Sequence, residues 1–386
     1  MNLEDLRQKE TRFVIGLVSD AACEGVDAAL VRVKGSGESL QVKFLAHELK
    51  RYSPGLRTRL SGARLGLREL ALTHFDLGEA LAGAAQAMLK EAERHGVTPE
   101  IVGSLGHTAV HLPRRGEDEP GHLDLGESAI IAERTGLPVV DQFSTRDMAA
   151  GGQGAPIQAY AEWSLFRRTG RTSLMIHLGG LTHMTVVTPA LDQVLSFHTG
   201  PGMAAIDGVV QLMTGGTHSG DPGGKLASKG VVIDELLDLL LAHPFINRVP
   251  PKSSGRNEFG PEAYLQTPIM ERKDRMHSME DFSATVSTAA AFSIMRAYTR
   301  FIKPRYAIDR VIFSGAGVAH APLVESIKKG MPEMVFRTSQ DYGLPAGAIG
   351  AVSAAILANE FVCGTPANAP SVTAARRPVI LGKLTP

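Results

Sequence analysis

DLGESAIIAERTGLPVVDQFSTRD, residues 124–147, is the stretch from which the fold class is read. Residues 127–135 carry good helix formers, Gly136 stops the helix, Pro138 forbids its continuation, and Val139-Val140 opens a buried-type strand. A helix handing over to a short apolar strand through a Gly/Pro turn is an α/β unit. The strand runs toward Arg146 and Asp147, just before the pliant run AAGGQGAP at 149–156. Ligands of α/β proteins gather at such strand ends.

The same alternation extends in both directions. Upstream, residues 13–18 and 28–33 are β-rich runs around the loop SDAACEGVD, which reads as a hairpin with a broad tip. Residues 41–45 continue as a third strand, 78–95 form a helix ended by Gly96, and 101–104 form a strand entering the turn at 106–108. Downstream, 173–178 and 183–187 make a second hairpin around GGLT. Helices are expected over 231–242, 283–301 and 344–358, a strand over 310–313 runs into SGAG, and the tail from 364 is loop-rich. No short-period repeat is present, yet a hairpin followed by mixed α/β material occurs once in each half.

Composition narrows the function. The chain has 386 residues, with 40 basic against 40 acidic side chains and 44% hydrophobic content, so it buries a sizeable core and is not disordered. A zero formal net charge gives no electrostatic reason to expect nucleic acid or an anionic membrane as partner. Cys23 and Cys363 cannot build a disulfide framework, and the absence of any CxxC argues against structural zinc. No window of about 18 uninterrupted apolar residues occurs, and the 13–18 run is too short for a signal peptide, so a cytoplasmic location is expected.

Glycine turns at the tips of two facing hairpins, with a later GAG at a strand end, describe a nucleotide cleft. Phosphates need several backbone N–H donors at close range, and turns of little bulk allow that approach. In a glycine-rich chain any one such turn is more often only a turn, and GxxxxGK[ST] is missing. Asp147, beside Arg146, suits a general base, but spacing alone favours a helix-cap or turn carboxylate. His107, His111, His177, His183 and His198 are scattered and make no HExxH, so each reads as satisfied or solvent-facing. Lys252 and Arg256 belong either to an anion contact or to an exposed basic loop.

AAGGQGAP preceded by Asp147 resembles the signature of the anhydro-N-acetylmuramic acid kinases, and the resemblance covers nearly the whole chain. GLVSDAACEGVDAALV at 16–31, GSLGHT at 103–108, HLGGLTHMT at 177–185 and HTGPGMAAID at 198–207 follow in family order. So do PPKSSGRNEF at 250–259, FSGAG at 313–317 and NAPSVTAARRPVILG at 368–382. The resemblance implies a two-lobed actin-like ATPase (RNase H-like) α/β fold, with ATP and Mg²⁺ between the lobes. It implies lobe I over 1–168, rejoined by 345–386, and lobe II over 169–344.

It also implies the chemistry: water opens the 1,6-anhydro ring while O6 takes the γ-phosphoryl group, giving N-acetylmuramic acid 6-phosphate in cell-wall recycling. Asp147 falls on the family's catalytic aspartate. The nucleotide loop falls on Asp20, Ala21, Ala22, Cys23, Glu24, Gly25, Val26 and Asp27, with Gly179, Gly180, Gly315 and Gly317 also at the nucleotide. His107, Thr108 and Arg146 fall at the substrate. The expected partner is a small-molecule anhydrosugar, with no nucleic acid and no membrane, and with a homodimer as one admissible assembly.

The departures cluster at the chemistry. Where the family reads SGTSLDG, this chain reads SDAACEG: Asp20 replaces a glycine, and Ala21 and Ala22 replace hydroxyl residues. A charge beside the phosphates costs about 1 kcal/mol per charge pair at 4 Å in water and about 4 kcal/mol at an effective dielectric of 20. His107 stands for the glutamine of GQT, Gly350 for a glutamate, His198 and Met203 for the aspartate and asparagine of DTGPGN, and Gln142-Phe143-Ser144 for DFR. These changes keep two alternatives open, a nucleotide- or sugar-binding sensor without turnover and a kinase for another anhydrosugar.

Overall fold

The structure, a computed structural model, describes residues 3–19, 21–62, 65–116, 118–272 and 277–386. Its first sheet holds β1 (Thr11–Ser19), β2 (Gly25–Lys34), β3 (Gln41–Arg51), β4 (Ile101–Leu112), β5 (Gly121–Leu125) and β6 (Val139–Asp141). The second holds β7 (Ser173–Leu178), β8 (Leu181–Val187), β9 (Leu195–Pro201), β10 (Arg310–Ser314) and β11 (Phe336–Thr338). A last strand, β12 (Lys383–Thr385), returns to pair antiparallel with β6. The orders are β12-β6-β4-β1-β2-β3 and β11-β10-β7-β8-β9, with β5 hanging from β4. In each sheet an antiparallel meander is followed by two parallel strands on its first member, the duplicated RNase H-like pattern.

Six helices position the site: α1 (Leu67–Arg94), α2 (Phe143–Ala149), α3 (Ala159–Phe166), α4 (Met203–Met213), α5 (Met279–Ala297) and α6 (Ile349–Cys363). β1 is buried on both faces. Ile15 and Leu17 pack toward α1, whereas Val14 packs toward α6, so the strand reads as a continuous apolar run. α3 carries Tyr160, Trp163 and Phe166 into the cluster that also holds Met175 and Ile312 of the second sheet. The opposite face of that sheet is covered by α5. The stretch Ala346–Cys363 is long and apolar enough to cross a membrane, but 78% of it is buried inside the molecule.

α6 can lie that close because it is made of small residues and meets glycine. A Cβ on Gly16 would stand 1.8 Å from the Ala351 carbonyl oxygen, and one on Gly103 would stand 2.2 Å from that of Ala354.

The 124–147 stretch folds as a helix and a strand, but the strand ends at Asp141, and α2 intervenes before the glycine-rich run. Asp147 therefore sits on the inner side of a helix and is 0% exposed. Its Oδ2 accepts from the Gly154 amide at 2.9 Å. Its Oδ1 accepts from Asn368 Nδ2 and Thr373 Oγ1, both at 2.9 Å. The Gln153 amide donates to the Thr373 carbonyl at 2.7 Å, so the 149–156 loop is zipped onto the C-terminal segment. Space is short as well: a Cβ on Gly152 would stand 2.1 Å from Asp147 Oδ2.

Two substitutions test this packing. Gly16→Ala is expected to cost about 2 kcal/mol or more, within the range of core overpacking, read as a lower urea midpoint at constant slope. Asp147→Asn sets an amide NH₂ against one of three buried donors, and each lost partner costs about 1–3 kcal/mol. The expected result is a clear fall in unfolding free energy; unchanged stability would show that this carboxylate does not hold the loop.

Candidate active site

The tips of the two hairpins meet. A Cβ on Gly180, at the β7–β8 turn, would stand 2.7 Å from Ala21 Cβ and 2.8 Å from the Ala22 amide nitrogen. On one side of this contact a cleft of about 520 Å³ runs between the sheets. On the other side lies a pocket of about 170 Å³. Val18, Gln158 and His177 line both, so the two cavities adjoin there.

Of the expected nucleotide residues, Ala22, Glu24, Gly25, Asp27 and Gly315 line the cleft, and Ala21 lines the pocket. Asp20 lies outside the described residues. Val26 turns the other way, into the core beneath α1. Cys23, at φ 55°, is buried, with Sγ 3.6 Å from the Leu60 carbonyl and 4.0 Å from His107 Nε2. Gly25 is dictated by the sheet, since a Cβ there would stand 2.3 Å from the Lys50 carbonyl oxygen. Gly179 and Gly180 use their carbonyls to accept the Met203 and Ala204 amides at 2.9 and 3.0 Å, capping α4. Gly315, at φ +85°, has its Cβ direction blocked by the Leu178 carbonyl oxygen at 2.6 Å, and Gly317 is buried against Leu178 and Met203.

The expected substrate residues separate. Thr108 lines the pocket and donates to Asp124 Oδ1 at 2.7 Å. His107 does not reach the pocket: its Nδ1 lies 2.8 Å from Ser19 Oγ, and the ring buttresses the first hairpin from behind. Arg146 lines neither cavity, because the turn of α2 carries it away. Asp147 lines neither cavity, which corrects its expected placement in the crevice. Three buried donors close off its oxygens, and neither water nor sugar can reach them in this arrangement.

Four of the histidines expected to be satisfied or solvent-facing, His111, His177, His183 and His198, instead share the pocket with His122, which the sequence reading did not single out. His111, His122, His177, His183 and His198 line it together with Arg256, and no carboxylate lines it among the described residues. Strand register brings them together. His177 pairs with His183 across β7–β8, His183 with His198 across β8–β9, and His111 with His122 across β4–β5. His177 stacks on His183 at a centroid distance of 4.8 Å. The spacings would have revealed these rows only once the hairpin registers were known.

Burial, followed by neighbouring imidazoles, pushes His177 down to about 3 and His111 down to about 4, and depresses His198 well below the usual imidazole range. These rings are neutral near pH 7, and Arg256 supplies the cationic charge at the wall. Arg256 Nη1 donates to the Ala21 carbonyl at 2.6 Å, tying the second sheet's side of the site to the first hairpin. Lys252 does not form an exposed basic loop with it. Its ammonium is buried, donates to the Phe245 and Ile246 carbonyls at 3.1 Å, and lies 4.7 Å from the Phe245 ring centroid.

In the cleft, Asp207 of α4 accepts from the Asp221 amide at 2.9 Å. Burial pushes its carboxyl up to about 7, and the Glu24 charge adds to this against that hydrogen bond. Asp221 is occupied otherwise, accepting the Leu226 and Ala227 amides at 2.8 and 2.9 Å.

A family model described as anhydro-N-acetylmuramic acid kinase matches residues 12–386. A protein of that name from Caldanaerobacter subterraneus subsp. tengcongensis is 38% identical over 97% of each chain. One from Bacillus cereus is 36% identical over 97% of this chain and 99% of its own. A solved ROK family glucokinase from Streptomyces griseus aligns over 89% of this chain and 98% of its own, at 15% identity and a TM-score of 0.40, too distant to build on. With the match running through both sheets and both hairpins, the chain belongs to the anhydro-N-acetylmuramic acid kinase family.

Proposed function

We propose that this protein is an ATP-dependent kinase that opens 1,6-anhydro-N-acetylmuramic acid with water and phosphorylates it to the 6-phosphate, as part of cell-wall recycling. Beside the family membership, the observation that carries this reading is the junction of the two cavities at Val18, Gln158 and His177. The cleft takes the nucleotide and directs its terminal phosphate to that junction. The smaller pocket takes the sugar, and Arg256 faces the acid's carboxylate. We divide the chain into lobe I, residues 1–168 with 345–386, and lobe II, residues 169–344. Closing of the lobes excludes water from the phosphoryl group and positions O6 in line with it.

The donors in the cleft fit a Mg²⁺ carried by the nucleotide. Asp207 and Glu24 offer oxygen ligands, and like charge near a buried carboxyl is relieved by a divalent cation. When bound, the ion neutralises charge on the phosphates. The protein's own part is to present Asp207 from the second turn of α4 and to hold it with the Asp221 amide.

A second reading, a binding protein without turnover, is favoured by the lack of a pocket-lining carboxylate among the described residues. Turnover in ¹⁸O-water separates the two. The kinase releases ADP only with the anhydrosugar present and yields a 6-phosphate labelled at C1. Sugar binding by calorimetry with no ADP would establish the sensor instead. Asp207 gives a second test: the affinity for Mg²⁺–ATP is expected to rise as pH rises through about 7, because the deprotonated carboxylate is the ligand form. Asp207→Asn should flatten that dependence and weaken binding about tenfold or more, equivalent to about 1.4 kcal/mol.

A further inference from the structure

Resting on the kinase reading, we propose that His183, oriented by Glu162, is the base that deprotonates the attacking water. The reaction needs one proton acceptor near the anomeric carbon, and the acceptor must line the sugar pocket. Asp147 is closed off, and among the described residues every ionisable group on the pocket wall other than Arg256 is an imidazole.

Hydrogen bonding sorts the five rings. His111 and His122 lie Nδ1 to Nδ1 at 3.0 Å, and their other nitrogens meet Ser253 Oγ at 3.0 Å and Asp124 Oδ2 at 2.8 Å, so neither has a nitrogen to spare. His198 Nδ1 accepts the Ser254 amide at 2.9 Å, which leaves its Nε2 as a donor. His177 Nδ1 faces the Ser314 hydroxyl at 3.0 Å, and the Glu162 charge acts on it only at a distance, with no carboxylate hydrogen-bonded to the ring among the described residues. His183 is different. Its Nε2 lies 2.9 Å from Glu162 Oε1, both side chains are almost wholly buried, and the ring lines the pocket. With the Nε2–H donated to the carboxylate, Nδ1 is the acceptor nitrogen, and it has no hydrogen-bond partner among the described residues. A carboxylate-backed imidazole with a free lone pair is the arrangement general bases require.

The groups around His183 suit the role. Glu162 comes from α3, the stacked His177 from β7, and His198 from β9 at a centroid distance of 6.0 Å, with His111 and Arg256 on the pocket wall. Burial keeps His177 and His198 uncharged, so no adjacent cation opposes protonation of His183 except Arg256, which is held by the Ala21 and Ser61 carbonyls. Against its burial, His183 and then His177 hold the Glu162 carboxyl below its usual range. In the step itself a water lone pair forms the bond to C1, the C1–O6 bond breaks, and O6 displaces ADP from the γ-phosphorus. The water's proton passes to His183 Nδ1 and then to solvent.

The test uses the whole protein with ATP, Mg²⁺ and the anhydrosugar. His183→Ala is expected to lower kcat about 10²–10⁴-fold, the usual contribution of a general base. Sugar affinity by calorimetry should stay within about threefold, and added imidazole should restore part of the rate. Glu162→Gln is expected to lower kcat about tenfold or more with KM unchanged, and to displace the acidic limb of the kcat–pH profile; it carries the test if His183→Ala fails to fold. ADP release by His183→Ala at more than a third of the wild-type rate would overturn the assignment while leaving the kinase reading intact. A wild-type protein that binds the sugar and releases no ADP would overturn both.

Discussion

The close approach of α6 to β1 and β4 is the constraint on which the rest depends. At Gly16 and Gly103 the helix backbone lies where a methyl group would have to be, so the helix is seated against the strands. Overlap of this kind is tolerated by no ordinary side chain, and interiors at crystal-like density transmit such constraints. β1 is thereby fixed in depth, and its far end delivers Val18 and Ser19 to the wall of the histidine-lined pocket. The same helix begins at the cleft, where Gly350 sits 3.0 Å, measured to its Cβ position, from Val18 Cγ1. One packing decision thus locates both cavities relative to the first sheet.

Around that junction the ionisable groups are unevenly divided between the two cavities. On the pocket side burial keeps His111, His177 and His198 neutral, and Arg256 adds a guanidinium to the wall. Acidic groups stand on the other side, where Glu24, Asp27 and Asp207 line the cleft. The His107 ring supports Ser19 and the Cys23 turn rather than lining the pocket.

Much of the architecture was legible along the chain. Both hairpins, the Gly/Pro stop at 136–138, the strand before SGAG and the small-residue helix near the C-terminus follow from local propensity, and each is present. Two helices begin earlier than expected. The helix expected from 78 begins at Leu67, and the one expected over 283–301 begins at Met279 behind a Ser278–Asp281 capping box. The expected seat of Asp147 moved for a different reason. A seven-residue helix between the strand and the glycine run turns its carboxylate inward, and neither spacing nor motif carries the phase of that turn.

By itself, then, the sequence determined the family, the mixed α/β character, the two glycine-tipped hairpins and the chemical types available, because these depend on residues near one another or on motifs in fixed order. Tertiary structure alone decided which of those residues share a wall. His111 and His122 come from two strands of one sheet, His177, His183 and His198 from three adjacent strands of the other, and Glu162 from the helix between them. Register and helix phase set such meetings, and both are fixed by long-range packing whose partners lie tens to hundreds of positions away.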